Sequence, residues 1–290
     1  MKRTAIIYLR LLPLIGFTFI FFLGALVFSL LKSFGYAPIY GVNEFPTLKY
    51  YEDVFSGQFF WTSAAYTFYY AFVGTALAST LGVILALAIR KNAKTWRYAH
   101  LLCKLPLMVP YLVGAVLAVQ LLGSGGLIAR ISKSFGLIES TNDFPDILHT
   151  HAGWGIFAVM IWKQAPFVAL ATHSVLSGIG RKHEESAKVL GAGRIRIFCR
   201  VTLPLMLPGI TAASLICFAY NFGVFELPFI LGGGHPDTLS VAAWRYFNEA
   251  DYTKRLSGLS LIMLMCAMSG LIILLAQFFY GKIKVRQGKV

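Results

Sequence analysis

Apolar residues occur along this chain in six long runs that are separated by polar stretches. Each run is long enough for a helix to cross the hydrocarbon core of a bilayer, which is about 30 Å thick. The pattern predicts an all-α integral membrane protein with six transmembrane helices in a single domain over residues 1–290. The predicted spans are 11–31, 64–89, 99–122, 154–176, 205–231 and 256–280.

Composition agrees with this class. Of the 290 residues, 57% are hydrophobic and 13% are charged, whereas a soluble domain has about 25% charged residues. The net charge of +14 would suggest nucleic-acid binding in a soluble protein. Here the basic residues lie between apolar runs and not along one helix face, so we expect a lipid bilayer and not nucleic acid as the surroundings.

The positions of lysine and arginine predict the orientation of the spans. Segments 1–10, 90–104, 177–204 and 281–290 hold 18 basic residues and two acidic ones, whereas the other loops hold 7 basic and 9 acidic residues. Because basic residues are concentrated in cytoplasmic loops, both termini and residues 177–204 are predicted to be cytoplasmic. The first apolar run has no evident cleavage site, which favours a retained helix over a signal peptide.

The polar stretch 184–204 interrupts the apolar pattern between the fourth and fifth spans. It predicts two short helical pieces on either side of Gly191, each about 7 to 11 residues long and therefore too short to cross a membrane. In the second piece, Ile195, Phe198 and Val201 are spaced to share one face. We expect this hairpin to lie at the membrane surface and to contact something outside the bilayer.

The spacing within this stretch resembles a known family motif. Glu185-Ser186-Ala187 is followed by Gly191 and then, after nine residues, by Val201-Thr202-Leu203-Pro204. This resembles the "EAA" loop, E-A-A-x3-G-x9-I-x-L-P, of the permease subunits of binding-protein-dependent ABC importers with the type I fold. Ser186 replaces the second alanine and Val201 replaces the isoleucine. We call residues 177–204 the coupling segment.

The resemblance implies a permease subunit that forms half of a solute path and docks, through the coupling segment, into a groove on an ABC ATPase subunit. ATP and Mg²⁺ would bind that partner, so no cofactor is expected in this chain. The implied partners also include a second permease subunit, expected to be a different chain, and an extracytoplasmic solute-binding protein. The residues implied to couple to the ATPase are Glu184, Glu185, Ala187, Leu190, Gly191, Phe198, Leu203 and Pro204.

Two further stretches, 162–167 and 225–233, are similar to the permeases of the polyamine, iron, thiamine and phosphonate group. This similarity implies a polyamine, another small organic solute or iron as the transported solute. The implied location is the inner (cytoplasmic) membrane of a bacterial cell, crossed several times.

Polar residues within the spans are the candidates for the solute path. Lys163 is costly in a span, at about 2.5–3.5 kcal/mol near the helix centre, so it should face protein or water. It lies beside the path or at the interface with a partner, or it pairs with a carbonyl or carboxylate where Pro166 breaks the helix. The third span contains two prolines, which either bend a path-lining helix or produce a simple kink. The full candidate set is Lys163, Gln164, Tyr220, Asn221 and Glu226.

Other functions lack their motifs. The chain has no G-x-x-x-x-G-K-[ST] sequence for binding phosphate, and its histidines lack the spacing of a metal site. No nucleophile, base and acid can be assembled in one compartment, so we expect a transport protein and neither a catalytic nor a metal site. The rival hypothesis is a stand-alone secondary transporter or channel with Lys163 and Glu226 as its ion-coupling pair. A membrane-embedded enzyme ranks last.

Overall fold

A computed structural model describes residues 11–91, 93–180, 182–234 and 237–287. The first ten residues and Arg181, whose basic side chains enter the predicted orientation, lie outside the described residues. Within these described residues, six helical segments are long and apolar enough to cross a membrane, which confirms the predicted class. They cover Leu11–Ser33, Gln58–Arg90, Tyr111–Ser134, Trp154–Ile179, Arg194–Gly223 and Tyr252–Phe278.

The described elements are almost all helical. In chain order the helices are α1 (Leu11–Ser33), α2 (Lys49–Ser56), α3 (Gln58–Lys91), α4 (Ala93–Met108), α5 (Tyr111–Leu122), α6 (Leu127–Ser134), α7 (Trp154–Ile179), α8 (Lys182–Val189), α9 (Arg194–Gly223), α10 (Glu226–Leu231), α11 (Leu239–Asn248) and α12 (Tyr252–Gln287). Strands β1 (Tyr36–Ala37) and β2 (Val42–Asn43) form a short antiparallel hairpin.

The chain divides into two compact units. The first contains residues up to Trp61 together with those from Leu239 onward, and in it α12 packs against α1, α2 and α11. Its small core contains Ala37, Tyr50 and Leu256. The Ser33 hydroxyl lies 2.7 Å from the Tyr51 hydroxyl, which joins α1 to α2 within this unit.

The second unit covers Thr62–Thr238 and is built around α7. This helix packs against α4, α5, α9 and α10, and 61% of its most apolar window is buried, more than in any other candidate span. A glycine permits the close approach of α3: a Cβ added at Gly82 would lie 2.6 Å from Val168 Cβ and 2.8 Å from the Ala165 carbonyl oxygen. Small residues at such positions allow helix backbones to pack tightly in membranes.

The third predicted span, 99–122, is not one helix. α4 ends at Met108 and α5 begins at Tyr111, with Pro110 immediately before α5. Because Pro110 has no N–H, a continuous helix would leave the Pro106 carbonyl unpaired and would also suffer a steric clash. The break is the lower-energy solution, and the freed carbonyl is used as described below.

The fifth predicted span, 205–231, is also wrong at both ends. α9 begins at Arg194, inside the coupling segment, and ends at Gly223; the separate helix α10 then begins at Glu226. A helix continuing through Pro228 would leave the Val224 carbonyl without its donor, whereas proline in the first turn of a new helix loses no bond. Pro166, in contrast, lies inside α7 and does not break it.

Candidate functional site

The first half of the coupling segment is the short helix α8, which ends in a defined turn. The Ala192 N–H donates to the Ala187 carbonyl over 3.0 Å, and the Gly191 N–H donates to the Lys188 carbonyl over 2.9 Å. This is the Schellman pattern of a helix end, which requires a left-handed residue. Gly191 has φ +78°, and a Cβ there would meet no atom within 4 Å. The requirement for glycine is therefore conformational and does not come from crowding.

The second half of the coupling segment is not a separate helical piece, because it runs without a break into α9. Residues Phe198–Thr202 form a π turn within this helix, and a π turn inserts one residue into the helical repeat. The predicted shared face of Ile195, Phe198 and Val201 is therefore wrong: Ile195 is 82% exposed, whereas Ile197 is 6% exposed. Phe198 and Val201 are half-buried.

Large apolar side chains project from both sides of the turn at Gly191. Val189 is 87% exposed and Leu190 is 86% exposed on one side, and Ile195 lies on the other. Of the other predicted coupling residues, Glu185 is exposed, while Ala187, Leu203 and Pro204 are half-buried. The structure thus places an exposed apolar surface on the part of the chain that carries the motif.

Glu184 differs from its neighbour Glu185 because its carboxylate is bound within the chain. Oε1 of Glu184 accepts hydrogen bonds from Arg90 Nη1 over 2.5 Å and from the Thr202 hydroxyl over 2.7 Å. Sequence reasoning missed Arg90 and Thr202. Arg90 ends an apolar run and therefore counts only as one more basic residue beside a span, and Thr202 lies at an unspecified position of the motif.

Within the membrane-spanning part of the same unit, two side-chain amides form a reciprocal pair. Gln164 Nε2 donates to Asn221 Oδ1 over 2.5 Å, and Asn221 Nδ2 donates to Gln164 Oε1 over 3.0 Å. Asn221 also donates to the Thr75 hydroxyl over 3.1 Å, and Gln164 donates to the Tyr111 hydroxyl over 3.2 Å. We call these four residues the polar network.

The polar network joins α3, α5, α7 and α9 at a buried position. Gln164 is 3% exposed and Asn221 is 2% exposed. Both were predicted from the sequence, but Thr75 and Tyr111 were not, because a threonine among small residues indicates helix packing and a tyrosine after a proline has no distinctive signal. Buried amides with all their partners in place define one arrangement of helices and resist its loss.

Lys163 lies next to the polar network and is 4% exposed. Its ammonium group donates to the Pro106 carbonyl over 2.8 Å and to the Val109 carbonyl, and it lies 4.5 Å from the centroid of the Tyr111 ring. The ammonium thus replaces the donor that Pro110 cannot supply. Carbonyl pairing was one of the two interpretations of Lys163, but it occurs at the break between α4 and α5 and not at Pro166.

The two remaining candidates are Tyr220, which directly precedes Asn221 in the chain, and Glu226, which follows Asn221 by five residues. The Tyr220 ring stacks on the Tyr111 ring, with 4.2 Å between centroids and 25° between planes. Glu226 is half-buried in the first turn of α10. The ion pair of the rival hypothesis is not formed between these two described residues, since Lys163 binds backbone carbonyls and not Glu226.

Metal-binding chemistry has no support in the described part of the chain. Within residues 11–91, 93–180, 182–234 and 237–287, no group of three histidine, cysteine, aspartate or glutamate residues is placed to hold a metal ion. The four cysteines are free thiols. Cys103 and Cys217 are buried, whereas Cys199 and Cys266 are exposed.

Comparison with known proteins supports the interpretation of the motif. The trehalose/maltose transport system permease protein MalF of Thermococcus litoralis is 27% identical over 254 residues, which cover 84% of each chain. The sulfate transport system permease protein CysT of Escherichia coli is 26% identical over 210 residues, covering 70% of this chain and 71% of the relative. These relatives are named for sugars and for sulfate, so they lend no support to a polyamine or iron solute.

The fold also matches a solved structure. A chain from the crystal structure of a bacterial ABC transporter that imports alginate aligns with a TM-score of 0.80 and 22% identity, and 97% of each chain is covered. At that identity the match establishes the type I importer permease fold alone. The family model described as "Binding-protein-dependent transport system inner membrane component" matches residues 78–286. The chain therefore belongs to this family, the multi-pass inner-membrane permease subunits of ABC importers.

Proposed function

We propose that this chain is one of two permease subunits of an ATP-driven importer, and that it forms half of the solute path. ATP hydrolysis would take place on a separate ATPase subunit that grips the coupling segment. The observation that carries the proposal is the exposure of Val189 and Leu190 beside the Gly191 turn, at 87% and 86%. Apolar side chains at such an exposed turn gain free energy when a partner covers them.

The coupling residues would divide the contact between them. Leu190 would enter the apolar part of the ATPase groove, with Ala187 and Phe198 at its margin. Glu185, which is exposed, would form hydrogen bonds or an ion pair at the groove's edge. Gly191 would hold the turn, and Leu203 and Pro204 would carry the movement into the rest of α9.

The orientation follows from the distribution of basic residues. Both termini and the coupling segment would face the cytoplasm, because the segments on that side hold most of the lysine and arginine residues. The extracytoplasmic binding protein would deliver solute to the opposite face. We propose a bacterial cytoplasmic membrane as the location and a different chain as the second permease subunit.

For the solute we propose a sugar or a small oxyanion. The relatives named above are named for a sugar and for sulfate. The predicted path residues Gln164 and Asn221 would offer neutral amides to solute hydroxyl groups only once the amide pair opens, and Tyr220 would offer an aromatic ring. The charge of Lys163 is already used by two backbone carbonyls. Glu226 would lie near the end of the path. Its single carboxylate would not be sufficient to bind a polycation.

The proposal is tested by reconstitution with a co-expressed ATPase subunit. The ATPase should co-purify with the parent chain, and uptake by proteoliposomes should require ATP, the binding protein and a sugar or an oxyanion. Leu190→Glu should abolish both results, because it puts a charge into an apolar contact. Leu137→Glu is the matched control, since Leu137 is also highly exposed, at 76%, but lies outside the coupling segment.

The rival hypothesis makes the opposite prediction. Solute uptake by the purified chain alone, driven by an ion gradient and unaffected by Leu190→Glu, would establish a secondary transporter. ATP-dependent uptake that is lost in Leu190→Glu but kept in Leu137→Glu would establish the importer.

A further inference from the structure

The contacts of Arg90 point to a role that the family motif does not contain. We propose that Arg90 is a positioning residue that fixes the coupling segment to the end of α3. Four groups form this contact, which we call the clasp: the Arg90 guanidinium, the Gly180 carbonyl, the Glu184 carboxylate and the Thr202 hydroxyl. The inference rests on the proposed function, because the coupling segment is the element that the clasp would position.

The clasp connects four parts of the second unit through short hydrogen bonds. Arg90 Nη1 donates to Glu184 Oε1 over 2.5 Å, and Arg90 Nη2 donates to the Gly180 carbonyl over 2.7 Å. The Thr202 hydroxyl donates to the same Glu184 oxygen over 2.7 Å. The end of α3, the first turn of α8 and the π turn of α9 therefore meet at the Glu184 carboxylate, and the turn after α7 joins them through the Arg90 guanidinium.

The clasp is better shielded than an ordinary surface ion pair. The Arg90 side chain is 14% exposed and the Glu184 side chain is 20% exposed, and Thr202 is 5% exposed. Exposed pairs contribute little because water and salt screen them, whereas partly buried, charge-assisted hydrogen bonds are stronger. A cavity of about 450 Å³ lies beside the clasp, and Glu185, Lys188 and Arg194 line it.

The Gly180 bond explains why an arginine suits this position. Gly180 has φ +75° and ψ −161°, a conformation that is essentially restricted to glycine, and it forms the turn between α7 and α8. One guanidinium has two nitrogen atoms aimed at the turn and at the helix that follows it. Lysine carries its donors on a single nitrogen and cannot reproduce this forked geometry.

The clasp gives the two adjacent glutamates separate roles. Glu184 is bound inside the chain, whereas Glu185 is exposed. A partner that moves α8 through its exposed residues would therefore also move α3 through Glu184 and Arg90. Without the clasp, the movement would pass along the chain connections to α7 and α9 and would not reach α3 through Arg90.

The first test measures the coupling segment by itself. A spin label at position 190 is placed in the full-length chain in lipid nanodiscs, with the exposed Cys199 and Cys266 changed to serine and no ATPase added. Arg90→Gln removes the charge and both guanidinium hydrogen bonds, so it should raise the mobile fraction of the label about tenfold or more. Arg90→Lys should give a smaller increase.

Two milder variants and one control complete this test. Thr202→Val removes one hydroxyl at nearly constant volume, and Glu184→Gln removes the charge. Both should increase label mobility, and they keep the test usable if Arg90→Gln disturbs folding. Arg194→Gln is the matched control because it removes a basic side chain from the same cavity but takes away none of the three clasp hydrogen bonds. It should leave the spectrum unchanged. Unchanged spectra for Arg90→Gln, Thr202→Val and Glu184→Gln would overturn the inference.

The second test uses the complete assembly and measures solute molecules transported per ATP hydrolysed. We expect this ratio to fall several-fold in Arg90→Gln and to recover partly in Arg90→Lys. An unchanged ratio with a mobile label would overturn the positioning role. A third outcome is that Arg90→Gln mobilises the label but the unsubstituted chain shows no ATP-driven uptake. This outcome would support the clasp and overturn the proposed function, so the two failures can be distinguished.

Discussion

The polar network and the coupling segment belong to the same compact unit, but their side chains differ in burial: those of the network are bonded within the chain, and those beside the Gly191 turn are exposed. In the polar network, Gln164 and Asn221 each donate two hydrogen bonds to partners within the chain. In the coupling segment, Val189 and Leu190 are almost fully exposed. The network satisfies its amides within the chain, whereas the coupling segment leaves apolar side chains exposed, where we propose that the ATPase binds.

This difference predicts where substitutions will be felt. A buried polar group that loses its partner costs about 1–3 kcal/mol of stability, so changes within the membrane should weaken the fold. Substitutions of exposed side chains usually remain within about 0.5 kcal/mol, so changes in the coupling segment should affect function and leave the fold intact. The predictions below follow the expected loss of stability, from the largest to the smallest.

We expect Lys163→Ala to have the largest effect. It leaves the Pro106 and Val109 carbonyls without a donor and creates a cavity, because the Lys163 side chain is only 4% exposed. The free energy of unfolding in mixed detergent micelles should fall by about 2–3 kcal/mol. Lys133→Ala, at an exposed lysine of α6, should change it by less than about 0.5 kcal/mol. Equal effects of the two variants would contradict the assigned role of Lys163.

The amide pair is tested by a double-mutant cycle. Gln164→Leu and Asn221→Leu should each lower the free energy of unfolding by about 1–2 kcal/mol, because each removes both hydrogen bonds of the reciprocal pair and leaves the other amide with only its hydroxyl partner. The double variant should cost clearly less than the sum, since it removes both amides. Additivity within about 0.3–0.5 kcal/mol would show that the two side chains do not depend on each other.

Gly191→Val examines the turn and should have an intermediate effect. Forcing a β-branched residue to φ +78° costs about 1–2 kcal/mol locally, and we expect ATP-driven uptake to fall at least about tenfold while membrane insertion stays normal. Gly193→Val is the matched control, because Gly193 has φ −69° and ψ 160°, which valine adopts readily. Normal uptake by Gly191→Val in proteoliposomes would count against the turn as a functional element.

The smallest effect on stability is expected for the double variant Val189→Ser and Leu190→Ser. Both side chains are more than 80% exposed, so the free energy of unfolding should change by less than about 0.5 kcal/mol. The affinity for the ATPase subunit, measured by titration in nanodiscs, should nevertheless fall about tenfold or more, because two apolar contacts are lost. A stability loss as large as that of Lys163→Ala would remove the distinction between the two regions.

Hydropathy is sufficient to predict the number and class of the spans, because a helix in lipid must be apolar over its whole length. It does not predict where those helices stop. Pro110 and Pro228 end or begin helices through missing N–H groups, which a hydropathy average does not register. For the same reason the fifth span was placed too far along the chain.

The hydrogen-bond partners of the polar side chains could not be predicted from the sequence either. Lys163 binds carbonyls 54 and 57 residues away, and Arg90 binds a carboxylate 94 residues away. Nothing in the local sequence encodes such separations. The motif predicted the turn at Gly191 correctly in position, but the reason for glycine is its positive φ, and the π turn at Phe198–Thr202 changes which side chains face inward.

The unbroken course of α9 has a mechanical consequence. A straight helix of its 30 residues would be about 45 Å long, with the start of the proposed ATPase contact at one end and Asn221 two residues from the other. A tilt of roughly 10° about the first end would carry the far end through roughly 8 Å, more than enough to separate Asn221 from Gln164. Spin-label distances between α7 and the end of α9, with and without bound nucleotide, would measure this amplification. A small change of helix tilt at the membrane surface would thus open the amide pair without any helix unfolding.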